Sequence, residues 1–483
     1  MSPSSQTAGQ AGKAGKEHRH PAVRRIDDYF QLSARHTTFA RELRGGLATF
    51  FTMAYILVLN PIILGGARDV NGEQLDFGQL VTATALVAAV MTVLMGVTAN
   101  LPLALAAGLG LNAMVAYGLA PRMTWPDAMG LVVLEGILIC LLAATGLREA
   151  VMHAIPMPLK HAIGVGIGLF IALIGMVNAG FVSQGEGTAV TLGTGGSLTG
   201  WPVLIFCLGL LLAFALLVRR VRGAILISIV TMTLVAMAVN AVADGVEWGL
   251  TTPEWPDDLV AAPDFGLIGE FSLFGAFAEV SAVTVVLLVF TLFLTDFFDT
   301  MGTAVGVTGE AGLLDERGRV PRLGRLLFVD GLATVGGGAA SASSATSYIE
   351  SAAGVGEGAR TGFANLVTGG LFALALFFAP LAAVVPSQAA APALVAVGFL
   401  MMTQAARIDW SDLTVAIPAF LTIAVMPFTY SITNGIGAGF LAYAVLMAVA
   451  GRARRVHWLL WAAAALFVVY FAIDPVEQLL GIG

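Results

Sequence analysis

The segment ASASSATSYIESAAGVG, residues 340–356, decides how this chain folds. Its serines, Thr346, Tyr348 and Glu350 make it far too polar to face lipid, yet apolar runs flank it on both sides. Such runs dominate the whole sequence: 58% of the 483 residues are hydrophobic, 11% are charged, 57 are glycine, and the mean hydropathy is +0.87. That composition belongs to a chain whose solvent is lipid rather than to a soluble globular domain. Stretches of roughly 20 apolar residues, the length that crosses a bilayer, fall near 46–66, 79–98, 102–120, 128–147, 159–179, 200–218, 223–243, 278–304, 323–338, 340–358, 362–382, 390–405, 413–431 and 434–451, fourteen in all.

Two of these, 102–120 and 340–358, are poor spans by hydropathy, and the first is short and broken by glycine. The basic residues decide whether they cross. With the N-terminus inside and the sides alternating, 22 of the 24 Lys and Arg fall on the cytoplasmic side and only Arg68 and Arg122 outside, as the positive-inside rule prefers. Dropping 340–358 sends Arg360, Arg407, Arg452, Arg454 and Arg455 outside. The polar segment is therefore expected to cross, and a polar segment at that depth is buried in protein or lines a water-filled cavity. The expected fold class is an all-α polytopic membrane protein of the cell membrane, multi-pass, with a cytoplasmic N-terminus. Residues 1–40 read as a disordered cytoplasmic tail, because the opening is polar and basic and has no apolar core of a signal peptide. Residues 453–483 read as an interfacial helix or an extra span, Trp458 and Trp461 favouring the interface.

Several function classes drop out. A net charge of −7 without a dense basic patch excludes nucleic acid as a partner. Cys140 and Cys207 lie within apolar runs and offer neither a disulfide framework nor a metal site. No HExxH, P-loop or nucleophile-elbow motif occurs, so neither an enzyme nor an ATP-driven pump is supported and no cofactor is expected. GLGLNA at 108–113 matches GxGxxA, but a membrane span cannot supply the strand–turn–helix unit that a dinucleotide requires.

The loop at 244–263, acidic and rich in proline and tryptophan, divides the fourteen spans into seven and seven, and an odd number per half inverts the second copy. The expected organisation is a first seven-span repeat over 41–245, an extracellular linker and pre-helix over 246–276, and a second, inverted repeat over 277–452. The first spans of the halves, TMAYILVLNPIIL (52–64) and TLFLTDFFDTMGT (291–303), each carry polar groups at mid-membrane. The third spans, LALAAGLGLNAMVAYG (103–118) and residues 340–356, are each rich in small residues and interrupted. Interrupted segments at matching places in two halves point to a transporter site. Breaking a helix frees backbone groups for a planar polar ligand and aims a half-helix N-terminus at the cavity. Gly108, Gly110 and the Ala/Ser run 339–345, with Ser347 beyond it, suit such a break through close backbone approach and, for glycine, unusual dihedrals. Helix packing through small-xxx-small faces is the other use of the same residues.

Ionisable residues inside a span are costly and are functional candidates by default. Here they are Glu135, Asp296, Asp299, Asp330 and Glu350. Asp296 and Asp299 are three apart and share a helical face, and Glu350 follows the polar run of the broken span. In the inverted arrangement both regions face one cavity, with Asn112 and Asn60 as neutral counterparts from the first half. Carboxylates that accept N–H bonds, with an amide that both donates and accepts, suit the ring N–H, carbonyl and ring-nitrogen groups of a purine. Asp299 and Glu350 are the substrate candidates, and they also join Asp296, Asn60 and Glu135 as candidates for proton coupling or support. Glu135, alone in LVVLEGILI (131–139), also reads as a helix-packing or hydrogen-bonding residue. Asp330, close to Arg325, reads as an ion-pair or capping group, and Lys160 and His161 as interface anchors. Protons are the expected coupling ion, because a membrane-buried carboxylate can bind and release one in each cycle.

The stretches GGLATFFTMAYILVLNPIIL (45–64), NLPLALAAGLGLNAMVAYGL (100–119), TDFFDTMGTAVGV (295–307), SYIESAAGVGEGARTGFANLVTG (347–369) and AIPAFLTIAVMPFTYSITNGIGAG (416–439) together resemble the azaguanine-resistance type of hypoxanthine/guanine/adenine permease. That type lies within the wider nucleobase:cation symporter and nucleobase/ascorbate transporter superfamily. The resemblance runs from residue 35 to 452. It implies two inverted sets of seven spans arranged as a core and a gate domain, with short antiparallel strands where the third and tenth spans break. It also implies that Asn112, Asp299 and Glu350 occupy the family's purine-binding positions, and that the protein is a homodimer through the gate domain. The implied activity is proton symport of adenine, guanine or hypoxanthine by alternating access. The alternatives are a uracil or xanthine transporter of the sister branch, against which DFFDTMGT and YIESAAG speak, and an anion carrier on the same scaffold, which two pocket carboxylates oppose.

Overall fold

Backbone that is withdrawn from water must satisfy its own hydrogen bonds, so the apolar runs of this chain become helices. The structure, a computed structural model, describes residues 21–145, 154–185, 187–243, 245–249, 251–316 and 319–480. The first half comprises α1 (Pro21–Phe30), α2 (Phe39–Met53), α3 (Ile56–Gly65), α4 (Phe77–Thr98), β1 (Leu105–Ala107), α5 (Leu109–Met114), α6 (Trp125–Thr145), α7 (Met157–Asn178), a hairpin of β2 (Val182–Ser183) and β3 (Thr191–Leu192), α8 (Trp201–Val218) and α9 (Ala224–Val242). The second half comprises α10 (Ala276–Glu279), α11 (Ala282–Glu310), α12 (Leu323–Ala339), β4 (Ala345–Ser347), α13 (Ser351–Gly356), α14 (Phe363–Ala375), α15 (Ala379–Ala383), α16 (Ser387–Met402), α17 (Leu413–Phe428), α18 (Ile432–Val449) and α19 (Trp458–Leu480). Side-chain caps start several of them: Asp76 accepts from Gln79 N, Ser281 from Thr284 N, Asp412 from Thr414 N and Ser431 from Asn434 N.

Among the described residues, ten helices are long and apolar enough to cross a membrane. Four of the fourteen expected spans are not among these ten. The segments 323–338 and 413–431 are helices of 17 and 16 residues. The segments 102–120 and 340–358 each hold a three-residue strand followed by a six-residue helix.

The helices pack in two groups. One joins α2–α6 with α11–α14 around β1 and β4, and the other joins α7–α9 with α16–α19. Small residues allow the tightest approaches in the first group. A Cβ on Gly136 of α6 would stand 2.7 Å from the Gly331 carbonyl oxygen of α12, so these two backbones touch.

The N-terminal end of the chain departs from expectation. Residues 1–20 of the expected tail lie outside the described residues, as do Arg148 and Arg317 of the charge count, whereas 21–30 are helical. That helix is stitched to the first group: Asn100 donates to the Phe30 carbonyl at 2.9 Å, and the Arg35 guanidinium donates to the carbonyls of Asn100 (2.6 Å) and Arg360 (2.9 Å). At the other end, Gly451 at φ 70° ends α18, and after a short turn α19 returns beside it. Phe467 packs edge-on against Phe440 and covers Gly437, and Arg122 donates to the Tyr470 hydroxyl at 3.0 Å. The C-terminal helix therefore runs along α18, where its apolar face has a partner, rather than lying across the end of the bundle.

Candidate functional site

The two interrupted segments meet. β1 and β4 pair antiparallel, with Leu105 opposite Ser347, Ala106 opposite Thr346 and Ala107 opposite Ala345. The ladder is extended by Gly108 N donating to Ser344 O and Tyr348 N donating to Ala104 O, both at 2.9 Å. Because the strands are antiparallel, the short helices α5 and α13 leave the pair in opposite directions. The Tyr348 hydroxyl donates to the Ala107 carbonyl at 2.5 Å, and Asn60 Nδ2 donates to Thr84 Oγ1 (2.7 Å) and Ala342 O (3.1 Å). Asn60 is thus a pin between α3 and the broken segment.

The unusual dihedrals do not fall on the glycines. Gly108 has φ −76° and Gly110 is helical; a Cβ on the first would lie 2.8 Å from Thr346 Cγ2, and on the second 2.7 Å from Ile167 Cγ2. Both glycines serve close approach. The left-handed residues are Ser341 (φ 56°) and Ser343 (φ 70°), in the turn from α12 into β4. A side chain pays a steric penalty there, which persists only where the surroundings over-determine the backbone. Here the Ala342 N–H bonds to Gly337 O (2.8 Å) and the Ala342 carbonyl is held by Asn60.

Behind β4 lies a sealed layer of three fully buried carboxyls, Glu135, Asp296 and Asp330. Asp296 Oδ2 accepts from Thr334 Oγ1 at 2.8 Å, and Ser344 Oγ stands 3.3 Å from Asp296 Oδ2 and 3.5 Å from Glu135 Oε1. Ser344 Oγ thus bridges Glu135 and Asp296. Asp330 Oδ1 accepts from Thr300 Oγ1 (2.7 Å) and Ser347 Oγ (3.1 Å), and Thr300 reaches Thr346 at 2.7 Å. Asp330 is accordingly a member of this network rather than a capping or ion-pair partner of Arg325, because its side of α12 faces β4. Glu135 Oε2, Asp296 Oδ1 and Asp330 Oδ2 have no hydrogen-bond partner.

In front of β4 lies an open layer. Asp299, one turn beyond Asp296 on α11, is exposed, although it sits deep in a 29-residue helix. Its helix, α11, packs against α13, which starts at Glu350. Glu350 is half-buried at the start of α13, and its Oε1 accepts from the Tyr55 hydroxyl, at the joint between α2 and α3. The Asp299 face of α11 continues through Gly302 and Gly306, with open space at Gly302, toward the end of the bundle where α1 is anchored. Lys160, expected as an interface anchor, instead places its ammonium 4.7 Å from the ring centre of Phe298, so it bridges α7 and α11. Its neighbour His161 lies 3.4 Å from Gln404 Oε1.

Asn112 is fully buried on α5, which packs against α3, α7 and α11, and neither its Oδ1 nor its Nδ2 has a partner. Leaving a buried polar group unpaired costs about 1–3 kcal/mol, so this amide carries a cost that its own fold does not offset. Tyr55 and Tyr348 belong to the same region and went unnoticed in the sequence. The available signal was a tyrosine inside an apolar span, whose buried hydroxyl has to find a partner.

The sequence profile of the permease family matches residues 40–438. Guanine/hypoxanthine permease PbuG of Bacillus subtilis (strain 168) is 38% identical over 453 residues, covering 92% of this chain and 98% of that protein. Adenine permease AdeQ of Escherichia coli (strain K12) is 38% identical over 443 residues, covering 91% and 94%. Among solved structures, the transmembrane domain of the cyanobacterium bicarbonate transporter BicA superposes with a TM-score of 0.60 at 14% identity, over 83% of this chain and 97% of that one. At that identity the likeness is one of fold alone.

Proposed function

This chain belongs to the permease family, as a multi-pass membrane transporter and not an enzyme, and from that premise we propose that it imports a purine nucleobase by proton symport. Relatives of near-equal length are named as guanine/hypoxanthine and adenine permeases, which supports adenine, guanine or hypoxanthine as substrate. The observation that carries the substrate assignment is the set of unsatisfied groups at the interrupted segments. Asn112 offers a free donor and a free acceptor, and Asp299 is exposed on α11, which packs against the short helix that Glu350 starts. A purine edge, with N–H donors next to carbonyl or ring-nitrogen acceptors, matches that set. An anion would meet two carboxylates there, which weighs against an anion carrier.

In this proposal Asn112, Asp299 and Glu350 bind the base, and Tyr55 fixes the Glu350 carboxyl. The coupling proton is handled by the sealed layer. Glu135 and Asp296 flank one hydroxyl, Ser344, in a site sealed from water, where two neighbouring charged carboxylates repel, so a proton on one of them is favoured. Ser344 and Ser347 link that layer to the strand on whose far side the base binds. The two helix groups act as a core and a gate that rock against each other for alternating access. The antiparallel β1–β4 pair, each strand followed by a short helix, supports two inverted repeats of seven segments over 41–245 and 277–452, joined by the 246–276 linker. The basic residues support a cytoplasmic N-terminus in the cell membrane, and the assembly is a homodimer through the gate.

The test is uptake of radiolabelled hypoxanthine and adenine into cells lacking their own purine permeases, with and without a protonophore. Saturable, protonophore-sensitive uptake that is lost in Glu350→Ala is expected. Absence of uptake of both bases by a well-expressed wild type would overturn the assignment.

A further inference from the structure

A cavity of about 160 Å³ lies at the end of the bundle opposite α1, between the two helix groups. Ile62 and Gly66 come from the end of α3, Asn178 from the end of α7, Ser387 and Gln388 from the start of α16, and Trp248 from the loop after α9. None of the carboxylates of the central site lines it. It is a built site. The Trp248 indole is nearly fully buried, and its Nε1 donates to Asn240 Oδ1 at 2.8 Å, which fixes the ring. Thr251 Oγ1 donates to Val385 O at 2.7 Å and ties the same loop to the lead-in of α16. The first-turn N–H groups of α16, at Ser387 and Gln388, have no intrahelical acceptor, and no side chain caps them. Gln388 is 8% exposed, and its Oε1 has no partner.

These features define what the cavity takes. Its lining has no charged side chain, so the ligand is neutral. An unpartnered amide oxygen calls for an N–H donor, and the first-turn N–H groups of a helix call for an acceptor nearby. The fixed, buried indole forms one flat wall of the cavity. A cavity of about 150 Å³ admits one benzene ring, and this one is slightly larger and open on one side. We propose that the cavity is an outer subsite that captures one neutral, flat heterocycle of the nucleobase class, bonded by Gln388 and backed by Trp248, before it passes to the central site. The proposal rests on the purine-import reading and on its orientation, under which this end is extracellular.

The experiment compares KM for hypoxanthine from each face of the membrane, using right-side-out and inside-out vesicles that carry the full-length wild type or Gln388→Met. Methionine keeps the volume and removes the orphan amide, so folding is preserved, and transport from the inner face on the same preparation verifies it. Loss of one hydrogen bond to a neutral ligand is expected to raise the outer-face KM by about 3- to 10-fold, with the inner-face KM unchanged. Trp248→Ala should act in the same direction. An outer-face KM within twofold of wild type, or an equal rise from both faces, would overturn the subsite. A wild type that transports no purine from either face would instead strike the import reading itself.

Discussion

Replacing Tyr55 by phenylalanine isolates a single oxygen atom at the candidate site. The ring is 1% exposed and packed, and phenylalanine fills the same space, so the change removes only the hydroxyl that donates to Glu350 Oε1. Glu350 then keeps its backbone contact, the Thr52 hydroxyl 3.4 Å from its carbonyl oxygen, but its carboxyl loses the donor that holds it. A hydrogen bond of this kind contributes about 1–3 kcal/mol, and at about 1.4 kcal/mol per factor of ten its loss corresponds to roughly a 5- to 150-fold drop in transport efficiency. Overall stability should change little. The assay is initial-rate hypoxanthine uptake across a concentration series, paired with thermal unfolding of the purified variant in detergent. If Tyr55→Phe transports within twofold of wild type, Glu350 is not held by this contact in the binding state and the argument fails. If uptake falls together with a large loss of Tm, the hydroxyl serves the fold rather than the site.

Three further outcomes follow from the same geometry. Asn112→Leu removes two orphaned polar groups of a buried side chain, so it should raise Tm while abolishing uptake, the trade expected of a site that stores unsatisfied groups for a ligand; a stability loss with uptake retained would contradict this. Glu135→Gln should spare exchange of labelled for unlabelled base but abolish proton-driven accumulation, read as a loss of protonophore sensitivity; normal accumulation would remove Glu135 from the coupling set. Gly136→Val should prevent assembly of the first helix group, because a Cβ there would lie 2.6 Å from Val335 N and 2.7 Å from Gly331 O; a monodisperse size-exclusion peak at wild-type yield would contradict the tight packing of α6 on α12.

Much was legible from residue order alone, for local reasons. Hydropathy is a property of each stretch, so the apolar helices fell where the sequence put them, and the two segments too polar or too glycine-rich to be ordinary spans became the strand-bearing breaks. An ionisable group inside an apolar run is equally visible, which is why Glu135, Asp296, Asp299, Asp330 and Glu350 were all in view. What those carboxyls do to one another was not. Asp296 and Asp299 are one turn apart on one helix, yet β4 seals the first behind Ser344 and Thr334 while the second faces open space. Asp330 bonds to Thr300 and Ser347, 30 and 17 residues away, rather than to nearby Arg325. The left-handed turn at Ser341 and Ser343, the Tyr55 contact with a residue 295 positions along the chain, and the return of α19 beside α18 are set by partners distant in sequence. Sequence by itself determined that the chain lives in lipid, where it breaks and which ionisable groups it carries there, since these depend on the transfer energy of each residue. Only the tertiary structure decided which of those groups are sealed and which are open, because that depends on which strand or helix happens to cover them.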